Sequence, residues 1–418
     1  MTKKKITIKK KITILTGAGF TSTDSFAGVE TASLTDELRT LSIHSITLGG
    51  LMPGEYLYRK LCRHYGLEAT TPATRTDVVN FETIIHFLEE LYAFQSSRHS
   101  FDSCDASDRT RNYPFKGIKP AFLELSAVVE ADFKRASEDF NSESIIYPLV
   151  SMIYRYFIHH ITHKLEAFNS NERNAGMELF SNDFLSIRLQ ESDYTRRIYT
   201  LNYDNWLVRY RSFFDGFDED GRLIGSKIFS DTNCDCHYNL HGCIYWDTFI
   251  DPDRVRKEAK VANYAGQVQS SDNGLNREPL IPTPIISGYN KMQRMKYSPF
   301  LHFYYAFQKD IIESDLILTI GYGFGDTHVN NLLSLSTKTI VACNHFVAQP
   351  KDGKPPIKPF TEDIYQCRHE LTNIFEAEFP DDYYFLKKDW GESKDGRVRL
   401  WWKGIGQEFY DNWDEISI

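Results

Sequence analysis

Two kinds of apolar spacing alternate along this chain. Short runs at Lys11–Thr16, Arg197–Leu201, Leu316–Ile320 and Ile340–Cys343 have the length and β-branched content of buried strands. An aromatic run from Val398 to Trp402 reads as one more. Elsewhere the spacing turns helical. Leu34, Leu38 and Leu41 predict a helix after Gly28, with Ser33 or Thr35 as its cap. Tyr56, Leu57 and Leu61 place another within Leu51–Tyr65. Phe81, Ile84, Ile85, Leu88, Leu91 and Tyr92 predict an amphipathic helix opened by Asn80. Two stronger stripes follow: Phe122, Leu125, Val129 and Phe133, then Ile146, Leu149, Ile153, Phe157, Ile161 and Leu165. Ser298-Pro299 is expected to cap and start a helix carrying Phe300, Tyr304, Phe307 and Ile311. Asp326 or Thr327 is expected to cap a helix through Val329 and Leu332.

Polar stretches at Gln95–Gly117 and Asp251–Pro279, and a Lys- and Pro-rich stretch at 351–359, read as loops. No strand is expected between residues 85 and 190. The pattern predicts an α/β fold: a Rossmann-like parallel sheet built from residues 1–90 and 195–350. A helical insertion occupies 91–194, and 351–418 forms a short C-terminal extension and candidate interaction surface.

The 418 residues are enough for a large core, and 41% hydrophobic with 25% charged residues is ordinary for a soluble globular protein. A net charge of −9 argues against direct binding of duplex nucleic acid, which needs clustered Lys and Arg. Lys3–Lys5 and Lys9–Lys11 flank the first strand and read as a solvated edge. No apolar run has the length of a membrane span, and no signal peptide is evident. The seven cysteines are scattered and odd in number, which implies reduced thiols and a cytoplasmic setting.

The strands end in small or polar groups: Gly17-Ala18-Gly19, Asn202-Tyr203-Asp204, Gly321-Tyr322-Gly323 and Asn344. Ligands of open α/β sheets collect at the carboxyl ends of the strands, so the joint occurrence says more than any one motif. A Gly-Ala-Gly turn lets backbone approach a ligand, and Thr21 or Ser22 would cap a helix whose N–H groups face a phosphate. Ser22 stands where a dinucleotide fingerprint has its third glycine, and the turn equally fits a plain strand-to-loop bend. His159 and His163 share a helix face at metal-ligand spacing. The HExxH glutamate is missing and no third ligand is near, so surface or interhelical histidines are expected and no metal.

Taken in order, these motifs resemble the sirtuin family of NAD-binding domains. Gly17-Ala18-Gly19-Phe20-Thr21 resembles the family's GAG(I/F)S turn. Thr200-Leu201-Asn202-Tyr203-Asp204 is similar to its TQN-I-D motif, without the Gln. Leu240-His241-Gly242 resembles the element bearing the catalytic histidine. Gly321-Tyr322-Gly323 stands where the family has its ribose-contacting GTS, and Asn344 where a late strand contacts adenosine. The resemblance covers roughly residues 10–90 and 195–345. It departs from the protein-deacylating members: Val29–Leu34 replaces their DFR segment, and Cys234, Cys236 and Cys243 cannot supply a four-thiolate zinc module.

The Tyr within the NYD motif, the Asn80-Phe81-Glu82 helix start, the helical insertion and GYGFGD followed by Asn330 resemble the sirtuin-like effectors of bacterial anti-phage defence. That resemblance implies a bacterial cytoplasmic NAD⁺ glycohydrolase that releases nicotinamide and ADP-ribose, with NAD⁺ as substrate. It also implies homo-oligomerisation or a partner such as a HerA-type ATPase. The implied catalytic residues are Asn202, which orients the ribose or a water; His241, the base; and Asp204, which orients the nicotinamide amide or stabilises developing positive charge. Cofactor-binding residues would be Gly17, Ala18, Gly19, Thr21, Gly321, Gly323, Asp326 and Asn344. Plain structural roles compete: Asn202 and Asp204 as turn or helix caps, His241 as a turn residue, Glu82 as a first-turn carboxylate, Asp326 as an N-cap. The competing functions are an NAD⁺-dependent protein deacylase and a non-catalytic nucleotide-binding assembly subunit. Dehydrogenation fits least, because no acidic residue ends a second strand near 35–45.

Overall fold

The computed structural model describes residues 9–20, 31–43, 46–67, 79–89, 91, 123–138, 147–170, 175–230, 234–244, 246–247, 256–257, 285, 295, 298–346, 361–380 and 390–417. Thr21, Ser22, Lys3–Lys5, the stretches Gln95–Gly117 and 351–359, and most of Asp251–Pro279 lie outside the described residues. The chain divides into two compact units, one formed by Met1–Val29, Phe168–Cys243 and Pro299–Ile418, the other by Glu30–Ala167 and Ile244–Ser298.

The first unit holds a seven-stranded sheet. Its strands are β1 (Lys10–Thr16), β2 (Tyr194–Thr200), β3 (Cys236–Asn239), β6 (Leu316–Ile320), β7 (Thr339–Cys343), β8 (Trp390–Glu392) and β9 (Val398–Trp401). Across the sheet they run β3-β2-β1-β6-β7-β9-β8, parallel throughout except for β8 against β9. This is a Rossmann-like α/β sheet. The central strands are buried nearly end to end, as parallel strands covered on both faces must be. Strand β9 extends the sheet with residues of the C-terminal 351–418 stretch, and β8, which had no distinct sequence signature, pairs beside it.

Two arginines in β2 are wholly buried. Arg196 pairs with Asp235 through its main-chain and side-chain nitrogens. Arg197 donates to Asp310 at 2.6 Å, and the Tyr199 hydroxyl donates to the same carboxylate at 2.5 Å. Burial of these charges is tolerated because each has its partner in place.

An irregularity that apolar spacing does not reveal follows the short helix Ala175–Leu179. Residues Phe180–Arg188 form a π-helix, closed by Leu189 N–H donating to Phe184 O at 2.9 Å. Phe180 packs edge-on against Phe20 at 5.0 Å between ring centroids, and Phe184 stacks on Tyr410 at 5.1 Å and meets Trp413 edge-on at 4.9 Å. One aromatic cluster thus ties the first turn of the chain to its C-terminus.

The second unit is mainly helical. It contains Thr31–Thr40, Pro53–His64, the helix at 81–89, Leu123–Glu138 and Tyr147–Ser170, and the two-stranded ladder of β4 (Trp246–Asp247) and β5 (Arg256–Lys257). Asn80 caps its helix by accepting from Thr83 N–H at 3.1 Å. Ser33 and Thr35, expected as caps, lie inside Thr31–Thr40; the Thr35 hydroxyl accepts instead from Phe81 N–H at 3.0 Å. His160 contacts Glu37 at 2.8 Å, and the rings of His159 and His163 lie 6.3 Å apart.

Candidate active site at the carboxyl edge of the sheet

Parallel pairing decides where the strand ends go. Thr16 is level with Thr200 and with Ile320, Ile320 with Cys343, and Thr200 with Asn239. Main-chain hydrogen bonds continue one residue past each strand: Leu201 to Thr16, Leu240 to Thr200, Gly17 to Ile320, Gly321 to Cys343 and Asn344 to Trp401. Gly17, Asn202, His241, Gly321 and Asn344 therefore emerge along one edge of the sheet.

The glycine turns form a seam. Gly17 N–H donates to Ile320 O and Gly19 N–H to Gly321 O, both at 2.9 Å. A Cβ on Gly19 would lie 2.9 Å from Gly321 Cα, closer than such atoms approach in folded proteins. Gly321 has φ +60°, a conformation that favours glycine. The Gly17 and Gly19 N–H groups are thus engaged within the protein. Here the glycines let β1 and β6 end against each other. Ala18 is exposed, and nothing lies within 4 Å of where a Cβ on Gly323 or Gly325 would sit.

The turn after β2 is braced from β3. Asn202 N–H donates to the Thr200 hydroxyl at 3.1 Å, and the buried Asn239 amide donates to Asp204 O at 3.1 Å and Asn202 O at 3.4 Å. Asp204 Oδ1 accepts from Trp206 N–H at 3.2 Å, an Asx turn into the short helix Trp206–Tyr210. Burial pushes the Asp204 carboxyl up to about 6, against the pull of that N–H.

The turn after β6 is braced from within. Asp326 caps the helix Thr327–Leu333 by accepting from His328 and Val329 N–H at 3.0 and 3.3 Å. The Tyr322 hydroxyl donates to Asn330 Oδ1 at 2.7 Å, and the Asn330 amide donates to Phe324 O at 2.7 Å. These bonds hold Phe324 at φ +57°, an unusual conformation for an aromatic residue. Asn344 donates to Tyr322 O at 3.1 Å, so its amide supports this turn from the next strand. The braced turn sets one Asp326 carboxylate oxygen 3.3 Å from His241 Nε2, with the two side chains 9% and 5% exposed.

Asn202, Asp204, His241, Gly321, Gly323, Asp326 and Asn344 thus share the sheet edge with Gly17–Gly19. The bracing residues Asn239, Tyr322 and Asn330 carry no signal of that role in the sequence. Nor does Tyr304, which repeats as a core position on the helix Phe300–Glu313. Its hydroxyl is buried and has no hydrogen-bond partner among the described residues. Burial, reinforced by nearby Asp326 and Tyr322, holds that hydroxyl protonated. The helix starts at Phe300 with Pro299 as its cap, one residue later than expected. Among the described residues no cluster of three His, Cys, Asp or Glu side chains is arranged to hold a metal.

No protein-family profile and no curated protein matches the chain. Among solved structures it is similar to a triple mutant of a Sir2 homologue in complex with 2′-O-acetyl ADP ribose, at 11% identity and TM-score 0.32, covering 87% of this chain and 93% of that one. A Sir2 homologue–ADP ribose complex gives the same identity, coverage and TM-score. A Sir2 homologue–NAD complex is 11% identical with TM-score 0.31, over 64% of this chain and 86% of that one. At these TM-scores the likeness decides neither fold nor function.

Proposed function

We propose that this chain is a sirtuin-like NAD⁺ glycohydrolase that hydrolyses the nicotinamide–ribose bond. One observation carries the reading: a half-buried Asn202-Tyr203-Asp204 turn and a His241–Asp326 pair share the carboxyl edge of a parallel sheet with the Gly17–Gly321 seam. The site combines a neutral amide, a carboxyl pushed up to about 6 by burial and an imidazole beside a carboxylate.

Cleavage proceeds through an oxocarbenium-like state. The C–N bond breaks and its electron pair leaves with nicotinamide, which departs neutral, so no strong general acid is needed. Water adds to the anomeric carbon and gives its proton to His241. Asn202 orients the ribose hydroxyls or the water. Ionised Asp204 stabilises the positive charge that develops on the sugar. Gly323 and Gly325 offer uncrowded backbone for the dinucleotide, and Ala18 and Thr21, the latter outside the described residues, belong to the same proposed subsite.

The wider role rests on sequence resemblance alone: an anti-phage effector in the bacterial cytoplasm that depletes NAD⁺, acting as a homo-oligomer or with a HerA-type ATPase. The test is release of nicotinamide and ADP-ribose from NAD⁺ by the purified protein, with Asn202→Ala and His241→Ala as inactive controls. Release that requires an acyl-lysine peptide would favour a deacylase instead.

A further inference from the structure

We propose that Asp326 is a positioning residue for His241: its carboxylate orients the imidazole and stabilises the imidazolium formed when water gives up its proton. The catalytic half of this proposal rests on the glycohydrolase reading. The pairing itself rests on geometry alone.

The carboxylate and His241 Nε2 are 3.3 Å apart, an ion-pair distance without hydrogen-bond alignment, and both side chains are more than nine-tenths buried. In a poorly solvated setting an opposite charge at that separation favours the protonated imidazole. Asp326 is also fixed in place more firmly than a helix cap requires. Its carboxylate is held by His328 and Val329 N–H, and the Tyr322 hydroxyl, which donates to Asn330, lies 3.1 Å from its carbonyl oxygen. Asn330 and Asn344 brace the residues before it. Facing the carboxylate are His241 from the turn after β3, Tyr322 from its own turn, and Tyr304 from Phe300–Glu313. Both tyrosines are kept neutral by burial. In the proposed reaction the water oxygen bonds to the anomeric carbon and the glycosidic pair leaves with nicotinamide. The proton passes to His241 opposite Asp326 and then to solvent.

Asp326→Asn separates this role from capping, because Asn caps a helix as well as Asp and keeps the accepting oxygen. The primary readout needs no activity: the His241 imidazole is titrated by NMR in the full-length protein, with its resonance assigned through His241→Asn. Its pKa is expected to fall by about one unit, a tenfold change in proton affinity, in Asp326→Asn, with thermal stability unchanged. A shift under 0.3 of a unit would overturn the pairing, whatever the protein catalyses. Asp326→Ser, which also caps, serves if the Asn variant does not fold. In an active preparation, Asp326→Asn is expected to lower kcat at least tenfold, leave KM for NAD⁺ within twofold, and move the acid limb of the pH–rate profile down. A wild-type kcat and pH profile would overturn the catalytic half while leaving the glycohydrolase reading intact. Loss of nicotinamide release in the wild type would defeat both the reading and this half, with the NMR result standing separately.

Discussion

Gly17 and Gly321 meet backbone to backbone: a Cβ on Gly17 would lie 2.7 Å from the Gly321 carbonyl oxygen, and a Cβ on Gly321 would lie 2.0 Å from Phe20 N. No side-chain movement relieves a clash between main chains. Gly321→Ala adds the cost of φ +60° and is expected to destabilise the protein by about 3 kcal/mol in denaturant titration. Gly323→Ala meets nothing within 4 Å and is expected to change stability by less than about 1 kcal/mol. If Gly323 lines the dinucleotide site, that variant raises KM for NAD⁺ while its unfolding midpoint stays at the wild-type value.

The buried Arg197–Asp310 pair makes a second contrast. Asp310→Ala strands a guanidinium with 0% side-chain exposure and removes the acceptor of Tyr199, so a loss of about 4 kcal/mol is expected. Replacing both partners, as Arg197→Met with Asp310→Leu, is expected to recover most of that loss. A double variant no more stable than Asp310→Ala would show that the pair does more than neutralise its own charges.

Asp204 makes stability and activity respond to pH in opposite directions. Its carboxyl ionises near 3.8 in the unfolded chain and near about 6 in the folded one, so between these values the folded state binds more protons. Stability from this group therefore falls as pH rises through the window, by at most on the order of 3 kcal/mol. Asp204→Asn is expected to flatten that dependence in urea unfolding measured from pH 4.5 to 7. The proposed role needs the ionised form, so nicotinamide release is expected to rise through pH 6 in the wild type, and Asp204→Asn is expected to lower kcat and leave only the acid limb set by His241.

His86, in the helical unit, works the other way. Burial pushes its imidazole down to about 4, so the unfolded chain binds more protons between pH 4 and 6.5, and stability falls as pH drops. His86→Gln is expected to be less acid-sensitive over that range by calorimetry.

Strands β1, β2, β6, β7 and β9 were legible because parallel strands buried on both faces leave continuous apolar runs. Their polar ends were legible as one group for the same reason: a polar group directly after a buried run must emerge at the sheet edge. The helix at 81–89 was legible through its Asn80 cap. Other features were not. The π-helix Phe180–Arg188 uses the same apolar residues as an α-helix and differs only in hydrogen-bond partner. The partners of Arg196 and Arg197 were not legible, since nothing local announces Asp235 or Asp310, the latter 113 residues from Arg197. The sequence of the glycine turn shows its freedom of conformation. It does not show that Gly321 closes against it.

The most direct measurement of the central claim is the release of nicotinamide and ADP-ribose from NAD⁺, with the purified full-length chain alone and with any genetically neighbouring partner. The account predicts release without an acyl-lysine peptide, reduced at least about 100-fold by Asn202→Ala and by His241→Ala in proteins that remain folded. No release under any of these conditions, release only with an acyl-lysine peptide, or full activity in both variants would contradict it.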